Sequence, residues 1–209
     1  MDSETLAGIA KQYPWASWAV WDDVFPDRDC VEKRPEGLIE FVHDRAEVLT
    51  PDVVLMGLNR SDDLPVPCSN FHAPTRKHYD YRLKEFIQDG GLDRLQGAYI
   101  TDLVDEVDPD SQNVKVSDDD AAVLLEQLRL LGESEYHVVC FGNQPFDGLV
   151  DYFDAEVTSY STDIKRATIE IDGLTLYLYR VWFYGLYRAN QDKVDRLKNQ
   201  LHELNERIA

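Results

Sequence analysis

Three short apolar runs, each closed by a glycine or a polar residue, alternate along this chain with segments of helical periodicity. The runs are DVVLMG, GAYITDLV and YHVVCFG, and the helical segments between them are DYRLKEFI and AAVLLEQLRLL. This alternation is typical of a parallel sheet covered by helices, because parallel neighbours need a long crossover between them. The sequence therefore predicts an α/β fold, a three-layer α/β/α arrangement with a central, mostly parallel four-stranded sheet.

The C-terminal part of the chain predicts a β-hairpin and a terminal helix. RATIEI and LTLYLYRVWF flank Asp172-Gly173, a pair suited to a two-residue type I′ turn. Apolar residues spaced by three and four within residues 190–209 predict the helix, docked either on the sheet of its own chain or on another subunit. We expect one domain that spans residues 1–209.

The first 35 residues are predicted to be an irregular, aromatic N-terminal extension. Trp15, Trp18 and Trp21 stand at three-residue steps in it. A short helix that packs these indoles inward is the preferred interpretation, because tryptophan buries a large apolar area. A face that stacks on a ligand is the alternative.

Composition limits the partners and the compartment. The 209 residues include 44% hydrophobic ones, yet no apolar run approaches the about 18 residues of a membrane span. We expect a soluble, cytoplasmic protein without a membrane partner, because the start of the chain has no secretory leader pattern. A net charge of −19 opposes sequence-independent binding to phosphate backbones. Cys30, Cys68 and Cys140 lie far apart without a CxxC pair, so neither a disulfide framework nor a Cys-ligated metal cluster is expected. We also expect no cofactor.

The ends of the predicted strands supply the candidate site. In open α/β sheets ligands bind beyond the carboxyl ends of the strands. Gly57, Leu58 and Asn59 follow the first run, Asp102 closes the second, and Asn143 follows the third. The proline-containing segment from residue 58 to residue 77 has no periodicity, and loops of that length are usually functional.

Five motifs of this chain resemble the ordered landmarks of the uracil-DNA glycosylase superfamily over residues 52–150. They are MGLNRS, SNFHAP, DYRLKEFI, GAYITDLV and HVVCFGNQPF. In that family a Gly-x-Asn-Pro loop follows the first strand, a downstream aromatic residue stacks on the flipped base, and a strand ending Ile-Thr-Asn reads the base edge. The resemblance implies that Asn59 positions the water, Phe71 stacks on the base and Asp102 reads its edge.

The chain departs from the family pattern at two places. Arg60 stands where the family has proline, and RVWFYGLYRAN offers no histidine where the family often has His-Pro-Ser. The resemblance leaves Tyr184, Tyr187 or Arg188 to stabilise the departing base. His72, beside Phe71, is a further candidate because a loop histidine near a pocket can act as acid, base or charge stabiliser.

Asp102 is the most informative of these positions. An asparagine both donates and accepts, which suits uracil, whereas an ionised aspartate only accepts. An acceptor suits a base with an exocyclic amine, such as cytosine. A protonated Asp102 in a dry pocket would restore a donor. The structural alternatives are a turn residue at Asn59, and at Asp102 a cap or an ion-pair partner of Arg60.

Three functions remain open from the sequence. The first is a uracil-DNA glycosylase-like hydrolase that cleaves the N-glycosidic bond of a nucleobase in DNA, as in DNA repair, or in a nucleotide, acting as a monomer or weak dimer. The second is a catalytically inactive nucleobase- or protein-binding domain of the same fold. The third is a metal-dependent hydrolase using the acidic residues 102–110. Binding to DNA requires cations gathered on one face, for which the candidates are Arg60, Arg76, Lys77, Arg82, Arg166 and Arg188.

Overall fold

The computed structural model describes residues 1–21, 38–63, 67–72, 79–185 and 191–208. The helices are α1 (Ser3–Gln12), α2 (Leu38–His43), α3 (Tyr81–Ile87), α4 (Asp118–Leu131), α5 (Asn143–Phe153) and α6 (Gln191–Arg207). The strands are β1 (Ser17–Trp18), β2 (Thr50–Gly57), β3 (Ala98–Asp102), β4 (Glu135–Phe141), β5 (Val157–Ser159), β6 (Lys165–Ile171) and β7 (Leu174–Val181). No helix in these ranges has both the length and the apolar character needed to cross a membrane.

The strands form one sheet in the order β1-β3-β2-β4-β7-β6-β5. Strands β3, β2, β4 and β7 are parallel neighbours, while β1, β6 and β5 pair antiparallel at the two sides. The α/β prediction is confirmed, but the predicted four-stranded sheet is wrong because the sheet has seven strands. The hairpin was predicted as a separate addition, whereas its second strand pairs along its whole length with β4 and extends the sheet.

The hairpin itself forms as predicted. Asp172 and Gly173 both have positive φ, at 48° and 81°, as a type I′ turn requires. β6 and β7 then pair from Ile171↔Leu174 to Lys165↔Arg180. Local turn chemistry fixes this register, whereas the pairing of β7 with β4 is non-local.

Two apolar cores lie on opposite faces of the sheet. In β2, Val54 and Met56 pack with helices α1, α2, α4 and α5, while Val53 and Leu55 pack with α3 and α6. All four side chains are fully buried. Parallel strands that are covered on both faces show such continuous apolar runs rather than alternation with polar residues.

The N-terminal residues are more regular than predicted. The segment expected to be irregular contains α1, which Asp2 caps by accepting a hydrogen bond from the Thr5 N–H at 2.8 Å, and the short strand β1. Trp18 and Trp21 are buried in the two cores, so both indoles pack inward as predicted, but the predicted short helix is wrong because Trp18 lies in strand β1. Residues 22–35 of this extension lie outside the described ranges.

Helix α6 docks on the sheet of its own chain. Its residues Leu197, Leu201 and Leu204 are buried in the core shared with β4 and β7. Gln200 anchors the helix, since its Oε1 accepts from the Trp182 N–H at 2.9 Å and its Nε2 donates to the Asp163 carbonyl at 2.6 Å. The first alternative of the sequence prediction is therefore confirmed.

Candidate functional site

The carboxyl ends of the parallel strands meet at one edge of the sheet. Gly57 is in register with Asp102 in β2 and β3, and Phe141 is in register with Val181 in β4 and β7. Tyr184, three residues beyond β7, packs its ring 5.2 Å from that of Phe141. The edge therefore gathers side chains from four strand ends, as the sequence predicted for the first three.

Gly57 allows two groups to approach the backbone closely. A Cβ atom at this position would lie 2.2 Å from Asp102 Oδ1 and 3.1 Å from Phe71 Cζ. Phe71 in turn lies 5.6 Å from Tyr184, measured between ring centroids. We call Gly57, Asn70, Phe71, Asp102 and Tyr184 the Asp102 site. It unites four of the residues predicted from the sequence and adds Asn70.

Asp102 is a buried carboxyl group, 3% exposed. Its Oδ2 accepts a hydrogen bond of 2.8 Å from Asn70 Nδ2. Burial raises the pKa of Asp102 to about 6, although the Asn70 hydrogen bond and the charge of Arg60 oppose the increase. Arg60 itself is ion-paired with Asp105. The carboxyl group is therefore neither paired with Arg60 nor fixed in one protonation state near neutral pH.

Residues 68–72 are held over the strand ends by the N-terminal segment. Two of them, Cys68 and Phe71, have positive φ values of 65° and 61°. Such conformations in non-glycine residues persist only where the surroundings enforce them. The contacts that enforce them here are Ser17 Oγ to the Cys68 carbonyl (2.8 Å), Asn70 Nδ2 to the Trp15 carbonyl (2.8 Å), and Trp21 Nε1 to the Phe71 carbonyl (3.2 Å).

His72 is part of this support. The ring is 3% exposed, and its Nε2 lies 3.0 Å from the Trp18 carbonyl, which can only accept. Burial lowers the pKa of His72 to about 4. The imidazole is therefore neutral at physiological pH and cannot supply the positive charge considered for it, because its protonated form is too costly to bury.

Asn59 joins the two loops that follow β2 and β3. Its Nδ2 donates to the Arg60 carbonyl and to the Asp108 carbonyl, both at 2.9 Å. The Val104 N–H also donates to the Leu58 carbonyl at 2.8 Å, and the Asp108 N–H to the Arg60 carbonyl at 3.0 Å. Both amide hydrogens of Asn59 are therefore hydrogen-bonded to backbone carbonyl groups. Its Oδ1 remains as the acceptor through which a water molecule would be held.

Replacing Asn59 with aspartate should loosen the loop of residues 103–108. The carboxylate cannot donate to either carbonyl, and it places negative charge against both, so we expect a loss of about 1–3 kcal/mol in unfolding free energy. Amide hydrogen exchange of Asp108 should accelerate in the same variant. Asn143→Asp is the matched control, because this exposed asparagine lies at the start of α5, outside the loop. Equal exchange rates in the two variants would contradict this role of Asn59.

The remaining predicted residues are dispersed. Leu58 is buried in the core on the α4 face, and Asn143 is exposed at the start of α5. Arg82 donates to the Tyr184 carbonyl at 2.7 Å and lies 4.3 Å above the Tyr79 ring. The other predicted residues Arg76, Lys77, Tyr187 and Arg188 lie outside the described ranges. A single cationic face for DNA therefore stays a prediction.

The acidic loop after β3 uses its carboxylates for its own turns. Asp108 Oδ1 accepts from the Asp110 N–H at 2.7 Å, and Asp110 Oδ1 accepts from the Gln112 N–H at 3.1 Å. Among the described residues, no three His, Cys, Asp or Glu side chains come together as potential ligands of one metal ion. Aspartate side chains that accept from the N–H group two residues later form Asx turns.

Sequence reasoning missed two members of this region. Asn70 orients the Asp102 carboxyl group, and the buried Asp80 hydrogen-bonds with the Tyr184 side chain. Burial, followed by the charges of Asp80 and Asp102, raises the pKa of Tyr184 well above its ordinary value, so the phenol stays protonated. The only signal for Asn70 was its place directly before Phe71. No family model matches this chain, and no curated protein matches it.

Proposed function

We propose that this chain is a uracil-DNA glycosylase-like protein that binds a nucleobase at the Asp102 site and hydrolyses its N-glycosidic bond. The observation that carries the proposal is a buried carboxyl group at converging strand ends, between a side-chain-free backbone position at Gly57 and the ring of Phe71. A flat heterocycle needs this combination of an apolar face and a polar edge contact. The family resemblance supplies the class of reaction.

The base that fits an ionised Asp102 carries an exocyclic amine. Asn70 already donates to Oδ2, so Oδ1, which lies over Gly57, is the oxygen that meets the base edge. Above pH 6 this oxygen accepts from an amine such as that of cytosine or adenine. Uracil offers a carbonyl group at the same place and needs a donor, which Asp102 provides only in its protonated form. Cytosine- or adenine-type bases are therefore the proposed ligands.

Phe71 is the proposed stacking group. Its ring is 4% exposed and lies beside Gly57 and Tyr184. A base reaches Asp102 when this ring turns away from Gly57 and stacks on the base. Stacking of one aromatic side chain on a base contributes about 1–3 kcal/mol.

The chemistry then requires a water molecule and a stabilised leaving group. Asn59 holds the water through Oδ1, since its two N–H groups are occupied. Tyr184, kept protonated by burial, hydrogen-bonds with Asp80, so its single hydroxyl proton reaches the departing base only when the base replaces Asp80 as the acceptor. The developing negative charge is stabilised in this manner only if donors are oriented in advance. The hydrogen bond of Arg82 with the Tyr184 carbonyl holds the backbone of that residue in place.

A binding domain without turnover is the second candidate. Two observations favour it: the Asn59 amide is committed to backbone carbonyls, and the Phe71 ring occupies the space beside Gly57. Such a domain would bind the same nucleobase through Asp102 and Phe71 and would release it unchanged.

Single-stranded oligonucleotides separate these functions. Each carries one test position with cytosine, adenine, hypoxanthine or uracil, and alkali after incubation reveals abasic sites by strand cleavage. We expect cleavage at an amine-bearing base, lost in Asp102→Ala and retained in Asp93→Asn, an exposed aspartate in the loop before β3. No cleavage, together with a thermal shift on adding cytosine or adenine, would establish the binding domain. No cleavage and no shift would contradict both functions.

A further inference from the structure

A second group of aromatic and cationic side chains lies on the α6 face of the sheet, in the turn after β5 and on strands β6 and β7. The guanidinium carbon of Arg166 lies 4.7 Å from the ring centroid of Tyr177, 5.9 Å from that of Tyr160 and 6.0 Å from that of Tyr179. Tyr160 and Tyr179 contact each other edge to face at 5.1 Å. We call these four residues the Arg166 cluster.

Arg166 has no carboxylate partner among the residues that the structure describes, in a chain with 40 acidic residues. Its Nε is buried and has no hydrogen-bond partner in the same part of the chain. The Oγ of Ser161, the residue after Tyr160, is likewise buried and without a partner. Buried polar groups are nearly always hydrogen-bonded, so the Nε of Arg166 is a donor to which an anion can bind.

The other basic groups near the cluster are paired or neutral. The guanidinium carbon of Arg207 lies 5.4 Å from the Tyr160 ring, and its Nη2 is 3.1 Å from Glu203. His137 stacks on Tyr177 at 5.1 Å, and its Nδ1 is 3.1 Å from the Tyr179 hydroxyl group. Burial, followed by the charge of Arg94, lowers the pKa of His137, so its ring is neutral at pH 7, and Asp52 is ion-paired with Arg94. The neighbourhood of Arg166 thus keeps one guanidinium group that no described carboxylate neutralises.

We propose that the Arg166 cluster binds a phosphate-type oxyanion, either inorganic phosphate or the phosphate of a phosphomonoester. A guanidinium group presents paired N–H donors that match two oxygens of a tetrahedral phosphate, and stacking on tyrosine holds its plane in place. The site shares no residue with the Asp102 site, so the two proposals stand or fall separately.

Calorimetric titration with inorganic phosphate, in a chloride buffer at constant ionic strength, tests this site. We expect the wild-type protein to bind phosphate and Arg166→Gln to bind it at least about tenfold more weakly, because a charge-assisted hydrogen bond contributes about 1.5–3 kcal/mol. Lys165→Gln is the matched control, since it removes the same charge from the preceding, exposed residue, whose side chain points to the other face of β6. Its affinity should equal that of the wild type.

Each outcome decides the proposal. Absence of phosphate binding by the wild-type protein, or equal affinities of wild type and Arg166→Gln, would overturn it. Circular dichroism checks folding, and Arg166→Lys, which keeps the charge but loses the planar fork, should bind with intermediate affinity. Titration with glycerol 3-phosphate, a phosphomonoester without a nucleobase, identifies the source: tighter binding than inorganic phosphate indicates a phosphomonoester, and equal binding indicates the free ion.

Discussion

Replacing Gly57 with alanine is expected to lower the unfolding free energy by about 1–3 kcal/mol, because the added methyl group overpacks a closed interior. Its Cβ would meet Asp102 Oδ1 at 2.2 Å and Phe71 Cζ at 3.1 Å, so both side chains must shift. Thermal or urea unfolding measures the loss. Nucleobase binding and any cleavage at the Asp102 site should disappear in the same variant.

Gly8→Ala is the control for the Gly57 substitution. Gly8 lies in α1, and nothing is within 4 Å of a Cβ placed there, so the change should stabilise the helix by about 0.5–1 kcal/mol. Adding Asp102→Ala to Gly57→Ala removes the closest clash and should recover part of the lost stability. A Gly57→Ala protein as stable as the wild type would show that the carboxyl group and the Phe71 ring do not lie against this backbone position.

The second large effect concerns Asp102 and pH. Its pKa in the folded protein, about 6, is above the ordinary value of 3.8, so the folded state retains a proton that the unfolded state has lost between these values. Stability contributed by this group is therefore present at low pH and is lost as pH rises toward and past 6. A shift of this size corresponds to about 3 kcal/mol.

Asp102→Asn removes this titration. The wild type should lose stability between pH 4 and pH 7.5, whereas the variant should not lose this contribution. The unfolding free energy of the variant minus that of the wild type should therefore increase by about 2–3 kcal/mol over this range. A constant effect of the new amide on stability does not alter this change. Asp52→Asn is a control of opposite sign. Burial raises the pKa of Asp52, but the hydrogen bond and charge of Arg94 outweigh it and lower the pKa overall. The loss of unfolding free energy in Asp52→Asn, relative to the wild type, should therefore be largest near pH 7 and should become smaller below pH 4. A pH-independent difference for Asp102→Asn would contradict the burial of an ionisable group at this position.

The parts of the fold that follow local rules were predictable from the sequence. Ser117 and Asp120 form the capping box of α4, and Gly132 ends that helix at a φ of 84°. Glycine or a polar residue closed each apolar run, which located Gly57 and Asp102 at strand ends. Register between parallel strands then placed these two residues side by side.

The contacts that the sequence did not reveal join distant segments. Pairing of β7 with β4 depends on packing across the sheet, so the hairpin could not be placed from its turn alone. Asn70 acquires its role from Trp15 and Asp102, which are 55 and 32 positions away along the chain. His72 was assigned to the site because of its neighbour Phe71, but successive residues of a loop face different surroundings. The His72 ring is buried and contacts the Trp18 carbonyl, and these contacts make it part of the support for residues 68–72.

The Asp102 carboxyl carbon, followed by nuclear magnetic resonance over pH and assigned with Asp102→Asn, tests recognition of the base most directly. Without ligand, its resonance should titrate near pH 6. Saturating cytosine should lower that midpoint, because an amine donor favours the ionised carboxylate, and uracil should raise it or leave it unchanged. A midpoint near 3.8 that neither base moves would contradict the assignment of Asp102 as a buried base-reading group.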